Sequence, residues 1–208
     1  MMKRVVLFLT MVLIMLCGAE ENALDLLASK SLTNAKGKEI PVLKALEGKK
    51  FIGLYFSAHW CGPCRMFTPE LVKFYSHCQS KGFEVIFVSS DKSADEMANY
   101  MKETGMKWLA IPFEDAETRN GIKTLFGVNG IPHLIILDAQ GKLVSSNARW
   151  DVAMLGNKAL KQWSSPDYTP LTYEDYQKNT LERNTSKSER KSKRKEKKNR
   201  KNANNDDD

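Results

Sequence analysis

Cysteine is scarce in this chain of 208 residues, which contains four: Cys17, Cys61, Cys64 and Cys78. We expect Cys17 to be removed or modified with the N-terminus, and three cysteines cannot build the multi-disulfide frame of small exported proteins. A zinc site usually needs four Cys or His ligands, typically with a second close cysteine pair. Beyond Cys61 and Cys64 the remaining candidates are scattered: Cys78, His59, His77 and His133. The sequence therefore argues against zinc.

Long apolar runs are also lacking. The longest, Val5–Leu16, has 12 residues and is interrupted by Thr10, whereas a membrane-spanning helix needs about 20. Basic residues precede it and the small residues Cys17-Gly18-Ala19 follow it, which is typical of a signal peptide over residues 1–19. We therefore expect an exported protein, periplasmic or secreted. A lipid anchor at Cys17 is the alternative, although Leu16 is bulky for a lipoprotein signal.

The C-terminal tail, residues 183–208, has almost no apolar residues. It contains 11 Lys and Arg against 5 Asp and Glu, so it carries +6 of the net charge of +7 and leaves the rest of the chain near neutral. Such a segment cannot bury enough surface to fold alone, and we predict a disordered basic tail. It could also bind an anionic surface such as lipid headgroups. Because the charge is confined to the tail, it does not indicate specific nucleic-acid binding.

Between these ends the hydrophobic pattern alternates between strands and helices, without internal repeats. It predicts an α/β domain over residues 20–163, with a mixed β-sheet covered by helices on both faces, followed by an extension over residues 164–182. The predicted strands include residues 51–56, 83–88 and 134–137, and the predicted helices residues 63–80, 94–103, 116–126 and 152–163.

The residues that carry chemistry are Cys61-Gly62-Pro63-Cys64, placed between a buried strand and a helix. Two intervening residues let both sulfurs meet across the first helical turn. The helix N-terminus stabilises the thiolate of Cys61 and lowers its pKa, while Cys64 lies one turn deeper. Cys61 is thus the expected nucleophile and Cys64 the resolving thiol. A purely structural disulfide is the alternative, but a loop this short constrains little chain.

Around these cysteines the sequence resembles the thioredoxin superfamily, and within it the tryparedoxin and nucleoredoxin branch. The similarity covers residues 31–163. It is carried by four ordered segments: Leu54-Tyr55-Phe56-Ser57-Ala58-His59-Trp60-Cys61, Val85-Ile86-Phe87-Val88-Ser89-Ser90-Asp91, Trp108-Leu109-Ala110-Ile111-Pro112-Phe113 and Gly130-Ile131-Pro132-His133-Leu134-Ile135.

This resemblance implies a thioredoxin fold and a disulfide oxidoreductase. It implies that the redox-active disulfide Cys61–Cys64 serves without any further cofactor, in a monomer that acts on protein or peptide disulfides. The electron donor or acceptor is not implied. It also implies a cis-proline at Pro132 and a substrate-binding surface made by Trp60, Gly62, Pro63, Ile131 and Pro132.

The sequence departs from the family at several positions. Tyr55 stands where thioredoxins carry a buried aspartate, and the dipeptide Gly62-Pro63 replaces the two prolines usual in the tryparedoxin branch. His59 and His133 flank the expected site and are candidates for tuning the thiolate of Cys61, because an imidazole titrates near pH 6.5. Cys78 lies on the apolar face of its helix and is expected to be a buried, inert thiol.

Two other functions are compatible with such a fold. One is a non-catalytic binding module, which would need neither the dithiol nor Ile131-Pro132. The other is a peroxide reductase, whose reacting cysteine is usually not part of a C-x-x-C pair. We therefore favour the oxidoreductase.

Overall fold

The structure, a computed structural model, describes residues 23–203, and the predicted signal peptide lies outside them. The described residues form one sheet of seven strands: β1 (Ser31–Thr33), β2 (Glu39–Pro41), β3 (Phe51–Ser57), β4 (Phe83–Ser89), β5 (Leu109–Ala110), β6 (His133–Asp138) and β7 (Leu143–Ser145). The strand order is β2-β1-β5-β4-β3-β6-β7. Strands β3, β4 and β5 are parallel, and β6 and β1 join them antiparallel.

Helices cover both faces of this sheet. They are α1 (Ala23–Leu27), α2 (Val42–Ala45), α3 (Gly62–Cys78), α4 (Ala94–Thr104), α5 (Ala116–Leu125), α6 (Arg149–Leu155), α7 (Ala159–Trp163) and α8 (Tyr173–Ala203). Helices α3, α4, α6 and α7 contribute to one hydrophobic cluster, and α1, α2 and α5 contribute to the other. The expected α/β architecture, a mixed sheet between two layers of helices, is confirmed. None of the helices in residues 23–203 has the length and apolar character needed to cross a bilayer.

Strand β3 lies inside the sheet between β4 and β6, and all seven of its residues are buried. Successive side chains of a strand point to opposite faces. Accordingly, Tyr55 packs in the cluster under α3, while its neighbours Leu54 and Phe56 pack in the opposite one. Burial on both faces explains why β3 reads as a continuous apolar run.

Helix α3 begins directly after β3. Cys61 is its N-cap residue, and Pro63 stands in the first turn, where a missing N–H costs no hydrogen bond. The helix continues through Pro69 to Cys78. Cys78 is fully buried, and burial raises the pKa of its thiol, as expected for an inert core cysteine.

The predicted helix over residues 152–163 is divided in two. Gly156, with a φ of 51° that favours glycine, ends α6 before α7 begins. The fully buried carboxylate of Asp151 accepts hydrogen bonds from Trp163 Nε1 at 3.0 Å, from the Tyr168 hydroxyl at 2.5 Å and from the Leu171 amide at 3.2 Å. The domain therefore continues past the predicted boundary at residue 163.

The tail differs most from its prediction. Composition predicts disorder for residues 183–208, whereas the structure describes residues 183–203 as the continuation of helix α8. Lys, Arg and Glu have good intrinsic helix propensity. The helix is also capped at its start, where the Asp175 amide donates to the Thr172 hydroxyl at 3.2 Å. Its described side chains from residue 180 to residue 195 are all exposed, so local propensity and the cap form the helix without a core.

Candidate active site

The two cysteines of the motif lie at the N-terminus of α3, where β3 delivers the chain. Cys61 and Cys64 are joined as a disulfide, with their Cα atoms 5.2 Å apart. Cys61 Sγ accepts the amide N–H of Cys64 at 3.3 Å. Cys61 is 6% exposed and Cys64 is 0% exposed. The predicted asymmetry between an outer and an inner cysteine is therefore present in the geometry.

This geometry favours a thiolate on Cys61 after reduction. The helix N-terminus carries partial positive charge, and the Cys64 amide points at the sulfur. Both effects stabilise negative charge at Cys61 Sγ. Cys64 lies beneath it and is shielded from any large substrate.

The loop before β6 closes the site from the other side. The peptide bond between Ile131 and Pro132 is cis, as the resemblance implied. The carbonyl oxygen of Ile131 lies 3.7 Å from Cys61 Sγ. Ile131 also packs against the small cluster that contains both cysteines and Ala58. The structure thus brings Ile131 and Pro132 to the dithiol.

The remaining predicted substrate-binding residues form an exposed rim around the sulfur. Trp60 is 57% exposed, and its indole N–H donates to the Ser90 carbonyl at 3.0 Å. Gly62 and Pro63 are exposed on the first turn of α3. A partner could therefore approach Cys61 between the indole and this turn.

Asp91 fixes the loop that precedes Cys61. Its buried carboxylate accepts the His59 amide N–H at 2.6 Å and the Ser89 hydroxyl at 2.8 Å. Burial is the largest influence on Asp91 and raises its pKa. The sequence reasoning did not assign Asp91 a role. The signal available was the position of Ser89-Ser90-Asp91 at the end of a buried strand parallel to β3.

A network of hydroxyl groups lies beneath Cys64. Thr68 Oγ1 donates to the Cys64 carbonyl at 2.8 Å. Since that uses its only proton, the hydroxyls of Tyr55 at 2.7 Å and Tyr100 at 2.5 Å both donate to Thr68. Burial strongly raises the pKa of Tyr55. The phenol that replaces the family's buried aspartate therefore stays protonated and cannot serve as a base.

The two tuning candidates make separate contacts. His59 stacks on Tyr100, with ring centroids 5.3 Å apart, and its Nε2 lies 3.0 Å from a Glu103 carboxylate oxygen. His133 Nε2 donates to the Ser146 carbonyl at 2.6 Å, and burial lowers the His133 pKa. This lowered pKa favours the neutral imidazole and so acts against the proposed positive charge at His133. Among the described residues no cluster of three or more His, Cys, Asp or Glu could hold a metal.

Comparisons with known proteins agree with this geometry. A family model described as thioredoxin-like matches residues 48–143. Probable nucleoredoxin 1 of Arabidopsis thaliana is 50% identical over 117 residues, which are 56% of this chain and 20% of that protein. Nucleoredoxin of Danio rerio is 43% identical over 121 residues, covering 57% and 28% respectively. The chain thus spans less than a third of these curated relatives.

Solved structures match over most of their own length. Thioredoxin from Wuchereria bancrofti is 40% identical with a TM-score of 0.58, covering 66% of this chain and 95% of that one. Tryparedoxin from Trypanosoma brucei is 35% identical with a TM-score of 0.61, covering 70% of this chain and 100% of that one.

Proposed function

Because the chain belongs to the thioredoxin superfamily, in the branch of the tryparedoxins and nucleoredoxins, we propose that it reduces or exchanges disulfides of protein substrates outside the cytoplasm. The observation that carries this proposal is the pair Cys61–Cys64, with one sulfur at an exposed rim and the other beneath it. The family and the disulfide-capable pair are established. The protein substrate and the exported location are the proposed part.

The proposed reaction is a two-step exchange. The Cys61 thiolate attacks one sulfur of a substrate disulfide, forms a mixed disulfide and releases the other substrate sulfur as a thiolate. Cys64, as its thiolate, then attacks Cys61 Sγ, which forms the Cys61–Cys64 disulfide and releases the second substrate thiolate. Two electrons pass to the substrate, and its two thiolates take up protons from water. A dithiol donor must then reduce the protein for another cycle, and in the opposite direction the same steps oxidise a substrate.

Three groups around the Cys61 sulfur support these roles. The Cys64 amide holds the sulfur of Cys61 in place. The carbonyl of Ile131 beside Cys61 can accept an N–H from an extended substrate backbone. Trp60 offers an exposed indole face at the rim. Export rests on residues 1–19, which lie outside the described residues, and an intact mass beginning at Glu20 in the native host would support it.

A trapping experiment tests the proposal. The Cys64→Ser variant should accumulate mixed disulfides with insulin, because the resolving thiol is missing. The Cys61→Ser variant should form none, because the buried Cys64 cannot reach a protein disulfide. Cys78→Ala is the matched control that removes a thiol outside the site. Trapping by Cys61→Ser alone would reverse the assigned roles.

An insulin-reduction assay with dithiothreitol, run beside a peroxide-consumption assay, separates the rival functions. The proposal requires insulin reduction that depends on Cys61. A protein inactive in both assays would be a binding module, and one that consumes peroxide without reducing insulin would be a peroxide reductase.

A further inference from the structure

A groove runs along the rim of the dithiol, and part of its wall comes from residues after 143, where the match to the thioredoxin-like family model ends. The groove has a volume of about 230 Å³. Its lining includes Pro63 and Met66 of α3, Pro132, Trp150 of α6, and Tyr176 of the C-terminal helix α8. Pro63 and Pro132 belong to the active-site rim described above. Helix α8 therefore begins beside a groove that also borders the active-site rim.

The first turns of α8 are fixed against the domain. The rings of Tyr173 and Tyr176 lie 5.1 Å and 5.0 Å from the ring of Trp150, measured between centroids. The chain leading into the helix is held because the Leu171 amide donates to the buried Asp151. These contacts orient α8 relative to the groove.

The face of α8 that touches Trp150 continues as a row of basic residues. At 100° per residue, the side chains of Arg183, Lys187, Arg190 and Arg194 fall within about 40° of Tyr176 around the helix axis. All four are exposed. None of them forms an ion pair with another described residue. We call these four residues the basic stripe.

We propose that the basic stripe, together with the groove, is a binding surface for acidic protein substrates, so that α8 selects which disulfides reach Cys61. This inference rests on the proposed function. The occupant of this surface is a polypeptide with acidic residues near its disulfide. The cations of the basic stripe pair with no other described residue, and their row starts in line with the groove, where we place the substrate backbone. Complementary charge gives such a surface selectivity and faster association.

The geometry sets where the acidic residues should be. With a rise of 1.5 Å per residue, Arg183 lies about 10 Å along the helix from Tyr176, and Arg194 about 27 Å. An extended chain covers about 3.3 Å per residue. Acidic residues about three to eight positions from the segment in the groove would therefore meet the basic stripe.

The test uses three disulfide-containing peptides that carry six Glu, six Gln or six Lys beginning three residues from the disulfide. The measured quantity is the second-order rate constant with which the full-length, pre-reduced protein reduces each peptide. With three or four exposed charge pairs, we expect the Glu peptide to react about tenfold faster than the Gln peptide at low salt. The Lys peptide should be the slowest, and 0.5 M salt should remove most of the difference.

Two triple variants with the same change in charge locate the effect. Replacing stripe residues in Arg183→Gln, Lys187→Gln, Arg190→Gln should reduce the preference for the Glu peptide to about twofold or less. The matched control Lys178→Gln, Lys193→Gln, Lys195→Gln, on positions at least 100° away from Tyr176 around the helix, should keep it. Glutamine preserves helix propensity, and circular dichroism checks that α8 remains folded. Charge reversal in Arg183→Glu, Lys187→Glu, Arg190→Glu should shift the preference to the Lys peptide.

Each contrary result has a distinct meaning. Equal losses in both Gln triples would show that only net charge matters and would overturn the role of the basic stripe. Absence of peptide selectivity, together with stripe-dependent binding to phosphatidylserine vesicles, would overturn it in favour of a lipid surface. Failure to reduce even the Gln peptide would overturn the proposed function as well, which distinguishes that outcome from the other two.

Discussion

The contact between Asp91 and the loop before Cys61 gives a quantitative prediction. Asp91→Ala removes the acceptor of the His59 amide and of the Ser89 hydroxyl. Loss of two such bonds, with a partly buried N–H left unpaired, costs about 2–3 kcal/mol. Removing a desolvated carboxylate offsets part of this loss, because burial disfavours the charged form of Asp91. We expect a net loss of about 1–2 kcal/mol in the free energy of unfolding, or about 2–8 °C in the thermal midpoint.

The same variant should affect the site, because the loop positions Trp60 and Cys61. We expect Asp91→Ala to slow insulin reduction severalfold, while Asp91→Asn, which retains an oxygen for the His59 amide, restores most of the rate. Thermal unfolding and insulin reduction are measured on the same preparations. An Asp91→Ala protein with unchanged midpoint and unchanged rate would refute the reasoning.

The pKa of Asp91 adds a pH dependence with a defined sign. Burial raises this pKa in the folded protein above its unfolded value of about 3.9. The folded state then binds the proton more tightly, so this contribution to stability is fully present below the unfolded pKa. It is lost as the pH rises through the folded pKa. The stability of wild type relative to Asp91→Asn should therefore be greater at pH 3.5 than at pH 7, and the opposite slope would contradict the assignment.

Three further changes test other parts of the structure. Asp151→Ala removes the carboxylate that joins the C-terminal segment to the domain and should cost about 3 kcal/mol in urea unfolding; a loss under about 1 kcal/mol would mean that this carboxylate does not hold the segment. Tyr55→Phe should cost about 1 kcal/mol through the lost bond to Thr68 and leave the pH profile of insulin reduction unchanged. A shifted profile would show that the phenol takes part in proton transfer. The His133 pKa is lowered in the folded protein, so its contribution to stability is present above the unfolded pKa and is lost as the pH falls through the folded pKa. His133→Gln should therefore be less destabilising at pH 5 than at pH 8, and overlaid reduction potentials would exclude redox tuning by this residue.

Much of the fold could be predicted because its signals are local. The alternation of strands and helices follows from the spacing of apolar residues and from the glycines that end the helices. The bounds of most predicted strands and helices are confirmed to within a few residues. The errors occur where local signals compete. Hydrophobic periodicity predicts one helix over residues 152–163, but Gly156 divides it into α6 and α7. The charged tail forms a helix because its residues have good helix propensity and its first turn is capped, although its exposed side chains bury no core.

The sequence by itself determined the chemistry at Cys61 and Cys64. A dithiol at a helix N-terminus requires only a strand, a short loop and a first helical turn, with two residues between the cysteines. Tertiary structure decided what surrounds the sulfur. It brought the Ile131 carbonyl next to a cysteine 70 residues away and the Asp91 carboxylate to an amide 32 residues away. It also placed Tyr176 against Trp150. Strand order and helix packing fix such contacts, and neither is encoded in the spacing of neighbouring residues.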